Sequence, residues 1–466
     1  LNTITGENMM KLAKTGTMIA LALALVFTLA FAGMPVQAQE AGTTTYNRID
    51  EVMDWGAVTT KLIVNLQAEV SEGVDAATFS VYVKRSDPRL EEPPLGEGDA
   101  TVVDAYISDA AGNPVETGSF ATLVMEIGPT VAPTSALNYD FMGSGLNDWT
   151  ENVYTITQEK AIGDIEGLVA TEMDQYSRLL IDDFEFAQAS YEDEEFGLIE
   201  LPYAYYAPAA DDAQHPLIIW LHGGGEGGSD PTIPLAANKA TVFVTAEVQA
   251  YFGGAYVLVP QSPTMWLDDG SGSYEGENFG IISKYTRAVQ NLVESYVAEN
   301  SGIDPNRIYV SGASNGGFLT VRLILDYPDF YAAAVPVCEP FNDAAATDEA
   351  LAAILDMPIW FVTAATDFVV QPSTYPVKLY DRLIQAGAAH TYISYLPKVL
   401  DESGLYTNED GSAYEYMGHW SWIYFYNNDL AQIMDGETVV GRLYGPAAHA
   451  NDNAVTIMEW LAAQSK

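Results

Sequence analysis

The sequence Gly-Ala-Ser-Asn-Gly at residues 312–316 contains the strongest candidate for a reactive side chain, Ser314. An apolar, strand-like run at 308–311 precedes it, and a stretch with helical character at 318–327 follows it. A tight turn from strand to helix exposes a serine hydroxyl, and the helix N-terminus stabilises developing negative charge. This context predicts that Ser314 is a nucleophile. The alternative is a glycine-rich turn with an inactive serine.

A second glycine-rich turn, His-Gly-Gly-Gly at residues 222–225, directly follows the apolar run 217–221. Glycine lets the backbone curl so that N–H groups point inward, and acyl transfer at a serine needs such groups to bind the oxyanion. We expect Gly224, Gly225 and Asn315 to donate these N–H groups, and His222 to brace the loop. No Lys-Ser or Lys-Thr pair follows the glycines, which argues against a phosphate-binding loop.

A nucleophilic serine needs a histidine as base and a carboxylate that orients it. The chain order serine, acid, histidine favours His419, which follows the last predicted strand and a loop. Asp367 follows the apolar run 359–362, at the carboxyl edge of the predicted sheet, where ligands bind. We therefore predict that Asp367 is the acid and His419 the base. The alternatives are His449 as base and Asp401 or Asp356 as acid.

Two tryptophans near these residues are candidates for substrate contact. Trp266 lies on a loop after a strand, and Trp420 directly follows the predicted base; ordinary core packing is the alternative for both. The acidic loops at 268–277 and 408–410 lack the spaced ligands and the terminal glutamate of a calcium loop. The chemistry requires no metal and no cofactor, and we expect neither.

The candidate residues fall in the second part of the chain, where strand-like runs alternate with amphipathic helices. Residues 217–221 and 256–259 are continuous apolar runs, which are typical of buried parallel strands. Apolar residues between 282 and 296 recur at the three- and four-residue spacing of a helix face. This alternation predicts an α/β domain over residues 183–466, with a mostly parallel sheet and helices on both faces.

Residues 42–165 have a different period. Apolar residues alternate with more polar ones at 62–70, 79–83 and 103–107, and a turn signal at 109–114 follows the third run. Short strands at this spacing, without a helical period between them, predict a small immunoglobulin-like sandwich. Its role stays open: carbohydrate binding, oligomer contacts and cover for one edge of the second domain all fit.

Composition and charge restrict the partners and the location of the protein. The chain of 466 residues has a formal net charge of −45, so we expect no nucleic acid and no anionic membrane surface as partner. Lys11 and Lys14 precede an apolar run at 18–32 that ends in small residues. This pattern predicts a secretory signal peptide at residues 1–38 and a secreted, extracellular or cell-envelope protein. An uncleaved N-terminal anchor is the alternative.

The chain contains one cysteine, Cys338, so no disulfide can form within it. Cys338 lies in the apolar run 333–338. A reactive thiol needs an exposed position and a nearby base or positive charge. We therefore expect a buried structural thiol.

From about residue 184 to the end, the chain resembles the esterase branch of the α/β-hydrolase superfamily that is related to prolyl oligopeptidases and polyhydroxybutyrate depolymerases. Some secreted bacterial esterases of this group carry an immunoglobulin-like domain ahead of the hydrolase, which is similar to the order here. The resemblance implies a carboxylesterase with Ser314, Asp367 and His419 as its triad. The matching motifs lie at 201–203, 222–228, 259–261 with Trp266, 304–309, 312–316 and the Asp367 loop.

The chain departs from this pattern at three apparent insertions, residues 268–278, 398–417 and 428–453, which would be able to form a lid. Small-molecule and polymer-linked esters both fit as substrates, including short aliphatic esters, hydroxycinnamate esters as in feruloyl esterases, and polyesters. A peptidase of the prolyl oligopeptidase type is one alternative, and a non-catalytic surface protein on a hydrolase fold is another. A homo-oligomer through the β domain is also compatible with the sequence.

Overall fold

A computed structural model describes residues 42–90, 95–273, 276–436 and 438–466. The predicted signal peptide at residues 1–38 lies outside these ranges. The described residues all belong to one compact unit, which contains two large sheets. None of the helices in the described ranges is long and apolar enough to cross a membrane.

The N-terminal region, called the immunoglobulin-like part below, is all-β and encloses its own apolar core. This confirms the predicted immunoglobulin-like sandwich. Side chains alternate between core and solvent along its strands: Phe79, Val81 and Val83 point inward from one strand, while Ser80 and Lys84 are exposed. The strands of this region are β1 (Thr43–Met53), β2 (Gly56–Val70), β3 (Phe79–Ser86), β4 (Gly96–Ala100), β5 (Val102–Ser108), β6 (Gly118–Met125), β7 (Leu137–Tyr139), β8 (Asn147–Trp149), β9 (Glu151–Gln158) and β10 (Val169–Arg178).

Eight of these strands pair in the order β4-β3-β9-β10-β1-β2-β6-β5, and β7 and β8 form a separate antiparallel hairpin. Strand β10 pairs in parallel with β1 and antiparallel with β9. It lies at Val169–Arg178, between the predicted limits of the two domains. The first sheet therefore continues to Arg178.

The second sheet confirms the predicted α/β fold. Its strands are β11 (Glu185–Asp193), β12 (Gly197–Tyr206), β13 (His215–Leu221), β14 (Tyr256–Pro260), β15 (Ile303–Ala313), β16 (Ala333–Val337), β17 (Ile359–Ala364) and β18 (Thr391–Leu396). They pair in the order β11-β12-β14-β13-β15-β16-β17-β18. Strand β12 is antiparallel to both of its neighbours, and the pairs from β14 to β18 are parallel. All residues of β13, β16 and β17 are buried, as expected for strands covered on both faces.

Helices connect and cover these strands: α1 (Ile233–Ala237), α2 (Ala246–Phe252), α3 (Thr286–Glu299), α4 (Asn315–Asp326), α5 (Asp348–Ala352), α6 (Pro376–Ala386), α7 (Trp422–Tyr426), α8 (Pro446–His449) and α9 (Ile457–Ala462). The helix face predicted from residue 282 onward begins later, at Thr286. Ser283 explains the difference, because its hydroxyl accepts the Tyr285 N–H in a local turn ahead of α3.

Two of the apparent insertions form small sheets. Strands β19 (Val399–Leu400) and β20 (Glu415–Tyr416) pair antiparallel within residues 398–417. Strands β21 (Leu430–Asp435), β22 (Thr438–Tyr444) and β23 (Ala454–Thr456) make a three-stranded antiparallel sheet. A lid formed by these segments stays a prediction.

The first sheet contacts the second through both polar and apolar groups. Lys239 Nζ lies 2.5 Å from Asp54 Oδ1, which belongs to the turn between β1 and β2. Ala57 and Ala136 of the first region belong to the same buried cluster as Trp220 of β13. This shared apolar core holds the two sheets in one unit.

Candidate active site

Ser314 occupies a sharp turn between β15 and α4. Its backbone has φ 54° and ψ −117°, a conformation that is costly for a residue with a Cβ. The Ser314 N–H donates to the Val337 carbonyl oxygen of β16 at 2.8 Å, which fixes the strained backbone. The side chain is half-buried. The turn therefore has the form in which a serine hydroxyl is presented at the edge of a sheet.

The glycines on either side of Ser314 are required by close backbone approach. A Cβ at Gly312 would lie 2.7 Å from the carbonyl oxygens of Gly316 and Leu221. A Cβ at Gly316 would overlap the Leu221 carbonyl and lie 2.7 Å from the His222 oxygen. The turn thus passes directly beside the end of β13, where the second glycine-rich loop begins.

Asp367 and His419 form a buried pair. His419 Nδ1 lies 2.8 Å from Asp367 Oδ2. The other carboxylate oxygen, Oδ1, accepts the N–H groups of Val369 at 2.9 Å and Val370 at 2.8 Å. Because these bonds hold the carboxylate, it fixes the orientation of the imidazole, as the acid of a catalytic triad does.

The alternative acids and the alternative base do not contact the Asp367–His419 pair through the hydrogen bonds that the structure shows for them. His449 Nε2, at the end of α8, is 3.3 Å from Asp429 Oδ1, which directly precedes β21. Asp401 accepts hydrogen bonds from Ser403 and from the Tyr406 N–H, and Asp356 is exposed. Among the candidates, the structure brings Asp367 together with His419.

Cys338 lies between this pair and the Ser314 turn. Its sulfur and one ligand atom each of Asp367 and His419 all lie within 4.8 Å of one another, and Cys338 follows the residue that accepts the Ser314 N–H. Ser314, Cys338 and Asp367 follow the ends of β15, β16 and β17, which are adjacent in the sheet. Ser314 and Asp367 therefore lie at the same edge of the sheet, where His419 pairs with Asp367, and their action as a triad stays a prediction.

The same three groups, Cys338, Asp367 and His419, have the spacing of metal ligands. Metal binding requires a thiolate, and burial raises the pKa of the Cys338 thiol well above its usual value. The imidazole nitrogen Nδ1 is already paired with Asp367. The donor set therefore fits a hydrogen-bonded acid and base better than a metal site, and Cys338 is buried as expected.

His222 braces the glycine-rich loop from within. It is fully buried, its Nδ1 donates to the Gly223 carbonyl oxygen at 2.6 Å, and its Nε2 accepts the Ser262 N–H at 3.0 Å. Burial lowers the pKa of His222 to about 4, so the ring is neutral near pH 7. A neutral, doubly bonded imidazole supports the loop and is not available as a base.

The predicted oxyanion donors lie at two helical starts. Gly224 begins a short 3₁₀ turn, Gly224–Glu226, and Gly225 is half-buried within it. Asn315 is the first residue of α4, where N–H groups have no partner within the helix. Its side-chain Oδ1 accepts the Leu267 N–H at 3.0 Å, which ties α4 to the loop after β14. The role of these three N–H groups stays a prediction.

The structure separates the two candidate tryptophans. Trp266 is fully buried; its ring lies 4.9 Å from that of His222 and meets Tyr285 edge-on at 5.6 Å. The prediction that Trp266 contacts substrate is wrong for this conformation, because the loop folds inward and encloses the ring in the core. Trp420 is half-buried and packs on Tyr416 at 6.1 Å, beside His419. Its contact with substrate stays a prediction.

Two residues of this region had no role in the sequence-based interpretation. Glu226 is buried, and its Oε1 accepts a hydrogen bond from Asn147 Nδ2 at 2.9 Å. Burial raises the pKa of Glu226 to about 7. The position of Glu226, directly after the glycines, was a signal for its importance. Asn147 lies in the other half of the chain, on β8, and carries no local signal.

Two protein families match parts of the chain. Residues 45–171 match the family described as "Esterase Ig-like N-terminal domain". Residues 286–357, which include the nucleophile turn, match the prolyl oligopeptidase family. The predicted resemblance to esterases with an immunoglobulin-like N-terminal domain is thereby confirmed.

Two curated proteins are similar to part of the chain. Poly(3-hydroxyalkanoate) depolymerase C of Paucimonas lemoignei is 30% identical over 138 residues, which cover 28% of this chain and 30% of that protein. Acyl-protein thioesterase 1 of Eremothecium gossypii is 30% identical over 131 residues, covering 26% of this chain and 53% of that protein. The chain thus matches about a third and about half of the length of these relatives.

One solved structure is similar over nearly the whole chain. A thermostable esterase superposes with a TM-score of 0.68 and 24% identity, over 91% of this chain and 100% of the other. At this identity the likeness establishes the fold. It supports the same arrangement of an N-terminal β-sandwich and an α/β-hydrolase domain.

Proposed function

Because the chain is an α/β-hydrolase with an esterase immunoglobulin-like N-terminal domain, we propose that it is a serine carboxylesterase. The observation that carries the proposal is the 2.8 Å hydrogen bond between Asp367 and His419, formed at the sheet edge where the strained turn presents Ser314. A nucleophile on such a turn, with an oriented imidazole at the neighbouring strand ends, supports acyl transfer through a covalent intermediate.

In the proposed mechanism, Ser314 attacks the ester carbonyl while His419 accepts the serine proton. Asp367 holds the imidazole through Nδ1 and stabilises the imidazolium that forms. The N–H groups of Asn315 and of Gly224 or Gly225 bind the oxyanion. His419 then returns the proton to the leaving alcohol. Water, activated by the same imidazole, releases the acid from Ser314.

The proposed substrates are esters of small molecules or of polymers, with short aliphatic and hydroxycinnamate esters as candidates. Phe368 and Val369 directly follow Asp367 and are 72% and 53% exposed, so an apolar rim adjoins the acid of the triad. The similarity to a poly(3-hydroxyalkanoate) depolymerase keeps polyesters among the candidates. A series of p-nitrophenyl esters of increasing acyl length, with methyl ferulate, would rank these classes.

Replacement of the nucleophile tests the proposal directly. We expect Ser314→Ala to abolish turnover of p-nitrophenyl acetate, because no acyl-enzyme can form. A fluorophosphonate probe, which labels activated serines, should modify the wild-type protein and not the variant. Retained hydrolysis by a correctly folded Ser314→Ala protein would refute the assignment. Absence of both labelling and turnover in the wild type would favour the non-catalytic binding role.

A serine peptidase is the second candidate, because residues 286–357 match the prolyl oligopeptidase family. Peptidases of that type commonly restrict substrate access to the active site with a large propeller domain. The immunoglobulin-like part is too small to be such a domain. Parallel assays with a p-nitrophenyl ester and a proline-containing p-nitroanilide peptide would separate the two. A higher kcat/KM on the peptide would favour the peptidase.

Export is part of the same proposal. The pattern at residues 1–38 supports a secreted or cell-envelope location. The formal net charge of −45 argues against nucleic acid or an anionic membrane as a partner, because like charges repel. A homo-oligomer that assembles through the immunoglobulin-like part is also proposed. Sequencing the N-terminus of the protein recovered from culture medium would test export.

A further inference from the structure

The β7–β8 hairpin of the immunoglobulin-like part lies against the predicted oxyanion loop of the hydrolase part. Trp149 Nε1 donates to Thr232 Oγ1 at 2.8 Å, just beyond the loop. Asn147 Nδ2 donates to Glu226 Oε1 at 2.9 Å. A Cβ at Gly225 would lie 3.0 Å from Asn147 Nδ2 and 3.2 Å from the Tyr139 ring. The hairpin therefore touches the loop at the glycine predicted to donate an N–H group.

Glu226 links this contact to the backbone of the loop. The residue is the last of the 3₁₀ turn Gly224–Glu226. Its carboxyl group folds back on the loop, so that a Cβ added to Gly223 would lie 2.7 Å from Glu226 Oε2. Its backbone oxygen accepts Gln261 Nε2 at 2.9 Å. A buried carboxyl is stable only when its oxygens are hydrogen-bonded, and Asn147 supplies such a bond from another part of the chain.

A loop of consecutive glycines has unusual backbone freedom, and oxyanion donors are effective only when they are held in place before the reaction. We propose that Asn147 is a positioning residue for ester hydrolysis. Its amide fixes the Glu226 carboxyl, and through it the directions of the Gly224 and Gly225 N–H groups. This role rests on the proposed esterase function and assigns the immunoglobulin-like part a specific contact with the catalytic machinery.

The test compares two asparagines of the same hairpin. Asn138 Nδ2 also donates to a carboxylate at 2.9 Å, but its partner, Asp87, lies within the immunoglobulin-like part. Both side chains are half-buried. Asn147→Ala should lower kcat for p-nitrophenyl acetate by about tenfold or more with little change in KM, because the lost interaction acts in the transition state. Asn138→Ala should retain wild-type kcat.

A transition-state analogue separates positioning from general destabilisation. A trifluoromethyl ketone forms an oxyanion with the serine, so Asn147→Ala should weaken its inhibition in proportion to kcat and leave inhibition by the corresponding alcohol unchanged. Glu226→Ala should cause a similar loss, and the double variant should lose no more than Glu226→Ala alone. Melting temperatures of all variants would identify any that fail to fold.

The outcomes distinguish this role from the proposed function. An active wild type in which Asn147→Ala keeps its kcat and ketone affinity would refute the positioning role alone. Equal losses in Asn147→Ala and Asn138→Ala would also refute it, since they indicate a general effect of the hairpin. A wild type without ester hydrolysis and without fluorophosphonate labelling would refute the esterase function and this role together.

Discussion

Asp367 shows how a single carboxylate is prepared for its role by its neighbours. Oδ1 accepts the N–H groups of Val369 and Val370, so the side chain cannot rotate freely and Oδ2 faces His419. The pair is buried, where low dielectric strengthens a hydrogen bond between a carboxylate and an imidazole. This arrangement leaves Nε2 of the imidazole as the nitrogen available for chemistry.

Asp367→Asn tests this arrangement. The amide keeps the size of the side chain but removes the charge, and it favours the wrong tautomer of His419. We expect kcat for p-nitrophenyl acetate to fall by about 10⁴-fold without a large change in the melting temperature. Asp356→Asn, at an exposed position, serves as the matched control and should remain fully active. An active Asp367→Asn enzyme would exclude Asp367 as the acid.

The junction of β15 and α4 shows how elements position Ser314, the proposed nucleophile. Strand β15 ends beside β13, and α4 begins immediately after Ser314. Because the chain reverses within one residue, the Gly316 backbone lies directly against the carbonyl groups of Leu221 and His222. The turn that strains Ser314 thus also sets the distance between the nucleophile and the predicted oxyanion loop.

Gly316→Ala should disrupt this junction. The added Cβ would meet backbone atoms of β13, which cannot move without breaking the sheet, so we expect a loss of stability of about 3 kcal/mol and a loss of activity. Gly98→Ala is the matched control, because a Cβ there meets nothing within 4 Å; its effect should stay within about 0.5 kcal/mol. Urea unfolding followed by circular dichroism would measure both. A stable, active Gly316→Ala protein would contradict the close packing of the turn.

The whole molecule carries a large excess of negative charge. The chain contains 64 acidic and 19 basic residues among 466, and its one cysteine cannot form an internal disulfide. Burial must therefore stabilise the fold against the mutual repulsion of surface carboxylates. The two sheets share an apolar cluster that includes Ala57, Ala136 and Trp220, so part of this burial joins the two parts of the chain.

Salt should stabilise the protein at neutral pH. Raising sodium chloride from about 0.02 M to about 0.5 M shortens the screening length severalfold and weakens the repulsion in the folded state, so the melting temperature should rise by several degrees. The rise should shrink as the pH approaches the sequence isoelectric point of about 4.1, where the repulsion is small. A melting temperature at pH 7 that does not change with salt, or that falls as salt is added, would show that surface repulsion contributes little to the stability of the protein.

Local patterns were sufficient for several features of this protein. The sequence predicted the strand-turn-helix context of Ser314 and the glycine-rich turn after β13. Each of these features reflects a backbone requirement of a few consecutive residues. The period of apolar residues indicated the two fold types because it reflects which faces of nearby elements are buried. Chain order favoured Asp367 and His419 but left His449, Asp401 and Asp356 open.

Contacts between distant residues required the folded chain. The pairing of Asp367 with His419, the enclosure of Trp266 and the bond from Asn147 to Glu226 join segments that no periodicity relates. Such contacts depend on how whole elements pack, because a side chain far along the chain reaches its partner only after sheets, turns and hairpins have taken their places. The sequence by itself therefore reveals the candidate residues at the sheet edge. Only tertiary packing decides which of them pair and which residues support the glycine-rich loop.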